Sequence, residues 1–346
     1  MEFIADYSRQ LSLDSMTESK QQAIVQSKLL IFGAGGLGVT AISYLAGAGV
    51  GDITIVDFDR IEASNLHRQT IYRASDIGQF KAQVAASYIA ERNPNCNLVA
   101  HTEEMDLLAL YKLCEQQDII LDCTDDQPFS YLLNAICLLT GTNAVFANAV
   151  KLEGQIFVLN PDIDQPCFNC LWPEHQQSLS QTCSQVGVLG PVPGILGCLQ
   201  ALEAIKILTG QHSYLQGHLL HCDFTTYDFL KLKVPKVETC DHRLVYADLE
   251  RAYANYQLQR VPRIDETMLD GNILIDIRSL DEVNRQSCGF SARHIEAQEL
   301  AAKPQSFLDK KLQYLLICSS GKRSKTVSDD LQHLGYQATP CRLGAD

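Results

Sequence analysis

The sequence lacks an excess of basic charge, a long unbroken apolar run and a secretory signal. Its 346 residues carry 28 Lys and Arg against 41 Asp and Glu, a net charge of −13. An acidic surface repels phosphate backbones, so we expect neither nucleic acid nor membrane as a partner. The most apolar stretch, residues 187–210, is broken by Pro191, Pro193 and several glycines. The first ten residues, MEFIADYSRQ, lack the basic start and apolar run of a signal peptide. These features predict a cytoplasmic protein.

Paired cysteine spacing of the kind found in disulfide frameworks is also missing, although the chain has thirteen cysteines. In a cytoplasmic chain long enough to bury a core, such thiols are expected to pack, bind metal or act in catalysis. With 46% hydrophobic and 20% charged residues, the composition excludes disordered and collagen-like chains. The length favours two domains, or one large domain with an appendage.

Strand and helix patterns alternate from the first glycine-rich turn onward. The apolar run 28–32 leads into glycines at 33–38, then into helix-spaced apolar residues, then into the β-branched run 52–57. This βαβ unit and its continuation predict an α/β fold with a Rossmann-like, mostly parallel sheet. A strand pattern on both sides of Gly154 predicts an antiparallel extension of that sheet.

A second, smaller α/β domain is predicted near the end of the chain. Its signals are strand patterns at 272–277 and 314–318 and a helix pattern at 324–334. Residues 246–257 have the pattern of a connecting helix. We therefore predict a first domain at 1–245, a linker at 246–262 and a second domain at 263–346.

The glycine turn has the composition of a phosphate-binding loop. Glycines let the backbone approach a phosphate, whose charge lies on the N–H groups and positive dipole of the following helix. Asp57, at the end of the next strand, is placed to hold a ribose hydroxyl. Taken alone, this pattern fits an NAD-dependent oxidoreductase, an ATP-using enzyme, or a packing turn without ligand.

More specific motifs follow at Asp57–Asp59, Ser64–Gln69, Lys81 and Asp122–Asp125. Together they resemble the ATP-binding pattern of the ubiquitin-activating-enzyme-like superfamily, and most of all its MoeB/ThiF adenylyltransferase branch, from about Asp6 to Cys240. The resemblance implies ATP and Mg²⁺ as cofactors and a homodimer with an interface in the apolar 190–208 region. The residues it implies for nucleotide binding are Gly33, Gly35, Gly36, Gly38, Asp57, Asp59, Ser64, Asn65, Arg68, Lys81, Asp125 and Asp126.

The same resemblance implies a set of catalytic residues. Activating a carboxylate with ATP builds negative charge on the triphosphate, and cations stabilise that charge. Arg68 and Lys81 are implied as those cations, Asp125 as the Mg²⁺ ligand, and Arg9 as an arginine that reaches the site from the dimer partner. Asp126 stands where close relatives carry Asn.

Cys167 and Cys170 form a C-x-x-C pair, which fits half of a Zn²⁺ site, a redox dithiol or two buried cysteines. In the related family a second such pair completes four thiolates. Here Cys240 matches its last member, but Val237 replaces the other. The fourth ligand is then His242 or Asp241, or there is none and the cysteines are a metal-free relic. We predict a structural Zn²⁺ held by Cys167, Cys170, Cys240 and His242.

Two further cysteines are candidates for sulfur and acyl chemistry. Cys183 matches a loop cysteine of the family that can receive an acyl group or resolve an acyl disulfide, and a spare loop cysteine is the alternative. Cys318 begins a loop between a strand and a helix, where N–H groups and the cations Lys322 and Arg323 stabilise an anionic sulfur. With Asp276–Arg278 and His294 upstream, this region resembles the rhodanese sulfurtransferases, in which Cys318 takes the persulfide position. A phosphatase-like loop or an inactive relic is the alternative.

Together the two resemblances imply a combined reaction. The enzyme is expected to adenylate the C-terminal glycine of a small ubiquitin-like sulfur carrier and then to form its thiocarboxylate. Sulfur would come from a cysteine desulfurase or another donor, and the product would serve molybdopterin, thiamine or tRNA thiolation. The alternatives are an NAD-dependent oxidoreductase and a non-catalytic scaffold that binds the carrier.

Overall fold

The computed structural model describes residues 6–162, 164–173, 187–319 and 321–343. The chain divides into two compact units, Met1–Leu258 and Gln259–Asp346. Each unit has its own sheet and its own hydrophobic cores.

The first unit is built on an eight-stranded sheet with strand order β3-β2-β1-β4-β5-β6-β7-β8. The first five strands in this order pair in parallel and the last three pair antiparallel. This confirms the predicted α/β fold and the antiparallel extension. The strands are β1 Lys28–Phe32, β2 Asp52–Val56, β3 Asn97–His101, β4 Ile119–Asp122, β5 Asn143–Val150, β6 Glu153–Leu159, β7 His218–Asp223 and β8 Asp228–Lys233.

Helices cover both faces of this sheet. Short 3₁₀ turns lie at Ala63–Asn65 and Ala74–Asp76. The helices are α1 Ser8–Leu11, α2 Glu18–Gln26, α3 Gly36–Ala48, α4 Lys81–Ala90, α5 Leu107–Glu115, α6 Gln127–Thr140, α7 Phe168–Leu171, α8 Pro191–Leu208 and α9 Tyr246–Gln259.

Alternate residues of β1 enter two separate cores. Leu29 and Ile31 pack with the helices α3, α4 and α8, whereas Leu30 and Phe32 pack with α5 and α6. Side chains of a strand alternate between its two faces, and here both faces are buried. The strand is therefore apolar throughout, as expected for a central parallel strand. Parallel strands flanked in this way bring their carboxyl ends to one edge of the sheet, where ligands bind in open α/β folds.

Helix α8 is long and apolar enough to span a membrane by length and composition, and 44% of it is buried. It packs against α3 and against β4, β5 and β6. Gln200, fully buried in this helix, donates to the carbonyls of Asp122 and Val145 at 2.8 and 3.1 Å. These contacts with the sheet are those of a core helix.

Helix α9 occupies most of the segment predicted as a linker. Leu249 on this helix is fully buried in the same core as Leu110 and Phe129, and Tyr253 and Tyr256 pack around it. The chain therefore continues the first unit through this helix, in agreement with the boundary after Leu258.

The second unit contains a four-stranded parallel sheet with strand order β10-β9-β11-β12. Its cores lie on the two faces of the sheet, one around Leu316 and the other around Leu315. Short 3₁₀ turns lie at Glu266–Leu269 and Pro304–Ser306. The elements are β9 Ile273–Asp276, α10 Leu280–Arg285, β10 Arg293–His294, α11 Ala297–Ala302, β11 Gln313–Cys318, α12 Lys322–His333 and β12 Gln337–Arg342.

Candidate active site

The glycine turn between β1 and α3 is shaped by backbone contacts that exclude side chains. Gly33 has φ +90°, and a Cβ added there would lie 2.8 Å from the Cys123 carbonyl oxygen. A Cβ on Gly38 would lie 1.9 Å from the Gly33 carbonyl oxygen. Gly35 is the N-cap of α3 and Gly36 its first residue, and no side chain caps this helix. The turn therefore presents the N–H groups of a 13-residue helix, which suit an anion.

Asp57 holds this turn against the end of β2. One carboxylate oxygen accepts from the Ala34 N–H at 2.6 Å and the other from the Asp59 N–H at 2.8 Å. Burial raises the pKa of this carboxyl, and the charge of Lys81 acts in the opposite direction. The residue predicted to hold a ribose hydroxyl thus also fixes the backbone of the turn.

Lys81 starts α4 and lies buried beside Asp59. Its Nζ is 2.9 Å from the Asp59 carboxylate, with 8% of the lysine side chain exposed against 46% of the aspartate side chain. Tyr72, which the sequence analysis did not single out, donates its hydroxyl to the Ala34 carbonyl at 2.8 Å and lies 3.2 Å from the Lys81 carbonyl. Burial raises the pKa of the Tyr72 phenol. One phenol therefore links the glycine turn to the lysine helix.

The turn that carries Ser64, Asn65 and Arg68 is organised by hydrogen bonds within it. The Asn65 side chain accepts from the Glu62 N–H at 3.1 Å, and the Ser64 hydroxyl donates to the Glu62 carboxylate at 3.1 Å. Arg68 donates to the Ser64 carbonyl at 2.9 Å. Next to it, Gln69 is buried with a side-chain oxygen that has no hydrogen-bond partner within the described residues.

Asp125 and Asp126 follow the carboxyl end of β4. Asp126 caps α6, because its side chain accepts from the Phe129 N–H at 3.3 Å. Upstream, buried Asp122 accepts from the hydroxyls of Ser130 at 2.5 Å and Thr124 at 2.8 Å. Burial raises the pKa of the Asp122 carboxyl to about 6, against the opposing effect of these hydrogen bonds. Asp126 therefore has a structural role as the N-cap of α6.

Arg9 lies apart from these residues within one chain. It lines a cavity of about 740 Å³ together with Tyr44, Cys198 and Leu202, among other residues of α1, α3 and α8. None of the predicted nucleotide-binding residues lines that cavity. Cys183 falls outside the described residues.

Cys167, Cys170, Cys240 and His242 come together, with all four ligand atoms within 4.8 Å of one another. The Sγ atom of Cys167 lies 3.5 Å from that of Cys240 and 3.9 Å from that of Cys170. A zinc tetrahedron with Zn–S bonds of ~2.3 Å has sulfur–sulfur edges of about 3.8 Å, so these separations fit the metal. The Cys240 hydrogen bond and the His242 imidazole lower the pKa of the Cys167 thiol to about 5, and burial opposes them.

His242 and Val237 both contact the Cys170 sulfur. His242 Nε2 lies 3.4 Å from the Cys170 sulfur, while the buried Nδ1 atom has no partner among the described residues. Val237, at the position of the missing cysteine, instead donates its backbone N–H to the Cys170 sulfur at 3.4 Å. The donor set is therefore three thiols and one imidazole, which suits a closed structural zinc site.

In the second unit, Cys318 ends β11 and is completely buried. Its sulfur accepts from the N–H groups of Gly321 and Ser324, each at 3.2 Å. Arg323 forms an ion pair with both carboxylate oxygens of Glu282. Burial raises the pKa of the Glu282 carboxyl, but the hydrogen bonds from Arg323 and Ser279 outweigh burial and lower that pKa to about 2.

The remaining predicted residues of this unit lie around β9. Asp276 and Arg278 form a buried ion pair at 2.7 Å. The His294 ring Nε2 lies 2.8 Å from the Arg278 carbonyl. Lys322 is the first residue of α12. The loop thus surrounds the Cys318 sulfur with backbone donors, and it is anchored through Arg323.

The fold and the glycine turn define an α/β nucleotide-binding protein with a Rossmann-like sheet. The chain belongs to the ThiF family, which matches residues 7–242. That match covers most of the first unit and ends at His242.

Two relatives differ in how much of the chain they match, and one of them extends over the second unit. The chain is 42% identical over 204 residues to the sulfur carrier protein ThiS adenylyltransferase of Escherichia coli strain K12, which covers 59% of this chain and 81% of that protein. It is 33% identical over 373 residues to the adenylyltransferase and sulfurtransferase MOCS3 of Danio rerio, which covers 99% of this chain and 78% of that protein.

Two further matches each cover about two thirds of the chain. With MOCS3 of Drosophila grimshawi the identity is 40% over 232 residues, 67% of this chain, and the match spans about half of that relative, 52%. A crystal structure of Escherichia coli MccB with ATP superposes with a TM-score of 0.57 at 21% identity, over 64% of this chain and 67% of that chain. At this identity the likeness shows the fold alone.

Proposed function

We propose that the protein adenylates the C-terminal carboxylate of a ubiquitin-like sulfur carrier with ATP and then converts it to a thiocarboxylate. Membership of the ThiF family supports the first step. The relatives named adenylyltransferase and sulfurtransferase, one of which aligns with nearly the whole chain, support the second. The observation that carries the proposal is that the uncapped start of α3, buried Lys81 and Arg68 occupy one connected set of turns.

In the adenylation step, a carboxylate oxygen of the carrier attacks the α-phosphorus and pyrophosphate leaves. The N–H groups at the start of α3 bind phosphate oxygens, and Lys81 and Arg68 stabilise the charge that develops on them. Lys81 is held by Asp59 before the nucleotide arrives, so its ammonium group is already oriented. Asp125 lies at the strand edge where it would hold the Mg²⁺ that accompanies ATP.

In the sulfur step, a persulfide on Cys318 attacks the activated carbonyl, AMP leaves and an acyl disulfide forms. A second thiol, for which Cys183 is our candidate, then attacks the Cys318 sulfur. The thiocarboxylate leaves, and a disulfide between the two cysteines remains for reduction by a cellular thiol. The two N–H groups directed at the Cys318 sulfur support this assignment, since they stabilise a sulfur anion.

The four-residue Cys and His cluster would hold a structural Zn²⁺. Its separations fit a tetrahedral site and its donors are those that zinc prefers. The metal would neutralise thiolate charge and connect α7 to the segment that follows β8.

We further infer a homodimer in which Arg9 acts in the active site of the partner subunit. Arg9 lines a cavity that includes neither Lys81 nor Arg68, which supports this reading, as does the apolar character of exposed residues on α3 and α8. Tyr44, Ile195 and Leu202, on helices α3 and α8, are exposed by 59%, 42% and 47%.

The test is mass spectrometry of a carrier such as ThiS after incubation with the enzyme, Mg²⁺, ATP and a sulfur donor such as a cysteine desulfurase with cysteine. We expect the carrier to exchange one oxygen for sulfur, and Lys81→Ala to abolish the exchange. An unchanged carrier, together with hydride transfer to NAD, would favour the oxidoreductase, to which family membership gives no support. A carrier that binds equally well to wild type and Lys81→Ala and is modified by neither would indicate a scaffold.

A further inference from the structure

Arg68 is held by two acceptors that bond to the same guanidinium nitrogen. Its Nη1 atom lies 2.9 Å from the Ser64 carbonyl oxygen and 2.9 Å from Nε2 of His67. A terminal guanidinium nitrogen carries two hydrogens, so these two contacts use both of them. The N–H groups on Nη2 and Nε have no partner among the described residues and remain available to a ligand.

The contact with His67 requires one form of the imidazole ring. Arg68 is a cation at every accessible pH and only donates, so Nε2 must present a lone pair and the ring proton must be on Nδ1. A doubly protonated ring has no acceptor and repels the guanidinium. A ring that presents the Nε2 lone pair therefore orients Arg68.

The backbone of this turn is fixed by close packing. A Cβ on Gly190 would lie 2.6 Å from the His67 carbonyl oxygen, and one on Gly36 would lie 3.4 Å from the Arg68 carbonyl oxygen. The two segments that approach, residues 33–38 and 187–194, carry no titratable side chain.

We propose that His67 is a positioning residue that holds Arg68 with its Nη2 and Nε donors directed at the phosphate groups of ATP. The inference rests on the proposed function, because it assumes that ATP occupies the glycine turn. His67 is exposed and is not part of the hydrophobic core of the described residues, so its replacement should leave the fold intact.

The experiment measures Mg·ATP affinity of the full chain by calorimetry at pH 8 for wild type and three variants. Arg68→Ala gives the loss of Mg·ATP affinity that results when the cation is absent. We expect His67→Ala to weaken binding about 3- to 10-fold, the range of one intramolecular hydrogen bond. We expect His67→Gln, whose side-chain oxygen can accept the same bond, to remain within about 2-fold of wild type. Equal affinities for wild type and His67→Ala would overturn the inference.

The comparison of the two His67 variants separates positioning from general stabilisation, because His67→Gln restores the acceptor and His67→Ala does not. An equal loss of affinity in both variants would contradict the role of the ring as an acceptor. A wild-type protein that does not bind Mg·ATP would overturn the proposed function itself, whereas a protein that binds but ignores His67 overturns this inference alone.

Discussion

At the residue scale, the conformation of the glycine turn requires a residue without a side chain at position 38. Gly38 lies so close to the Gly33 carbonyl that a methyl group has no room. We expect Gly38→Ala to lower the free energy of unfolding by at least 1–3 kcal/mol, the usual range for overpacking, and to abolish ATP binding. Denaturant unfolding and calorimetry measure the two effects.

Gly47 on the same helix is the matched control. Apart from the helix's own backbone, no atom of the described residues lies within 4 Å of a Cβ added there, and alanine in a helix interior is more favourable than glycine by roughly 0.5–1 kcal/mol. Gly47→Ala should therefore stabilise the protein. Similar destabilisation by both substitutions would show that helix α3, rather than the turn, is the sensitive feature.

Asp122 makes stability depend on pH. Its pKa is raised to about 6 in the folded state, above the usual value for an unfolded chain, so the folded state takes up the proton more readily. This contribution to stability is fully present below about pH 4 and is lost as pH rises through about 6. Relative to Asp122→Asn, wild type should lose on the order of 2 kcal/mol between pH 4 and 7. Urea unfolding at several pH values tests this, and a constant difference between the proteins would refute it.

At the element scale, the proposed zinc site joins α7 to the chain after β8. We expect His242→Ala to lower the zinc content after dialysis, measured by elemental mass spectrometry, and to lower the melting temperature. In the same background, Val237→Cys offers a fourth thiolate beside Cys170 and should restore zinc. An apo wild-type protein with the melting temperature of the metal-loaded form would argue against a structural metal.

The sequence predicted the elements whose signal is local. The strand Lys28–Phe32 has the predicted bounds, since an apolar run and the glycine turn that follows it define them. The strands β7, β8 and β12 were not predicted, because partly exposed strands such as His218–Asp223 show no clear alternation.

In the candidate site, too, the sequence predicts residues that belong to local motifs and misses residues that act through long-range contacts. Glycines and charged motifs identify the nucleotide turn, but Tyr72 and Gln200 act through contacts 38 and 78 residues away in sequence. No local sequence pattern predicts such contacts. The position of His242 beside three cysteines also depends on a long-range approach, although its chemistry made it a candidate.

At the scale of the whole molecule, the proposed dimer can be tested by complementation. Arg9→Ala and Lys81→Ala should each be inactive in ATP–pyrophosphate exchange with the carrier. In a mixed dimer, the subunit with an intact Lys81 receives Arg9 from its partner, so one of two sites is complete. Random reassociation should restore about a quarter of wild-type activity. No recovery, with mixed dimers verified by native mass spectrometry, would place Arg9 in its own subunit's site.

The two units are expected to perform separable steps. Cys318→Ala removes the cysteine of the second unit that is proposed to bear the persulfide, and it leaves the nucleotide turn unchanged. Exchange of pyrophosphate should stay at the wild-type level, while thiocarboxylate formation is lost. Thiocarboxylate production by this variant with the same sulfur donor would assign the sulfur chemistry to another thiol.

Helix α9 also determines where the polypeptide can be divided. Leu249 is fully enclosed in the core of the first unit, so a chain shortened to residue 245 would expose an apolar groove and tend to aggregate. A fragment that runs through Leu258 keeps the groove filled. Trypsin should therefore spare Arg251 within the helix and cut first at Arg260, between the helix and the β-bridge that Arg263 forms with Arg342, releasing the first unit with its last helix attached.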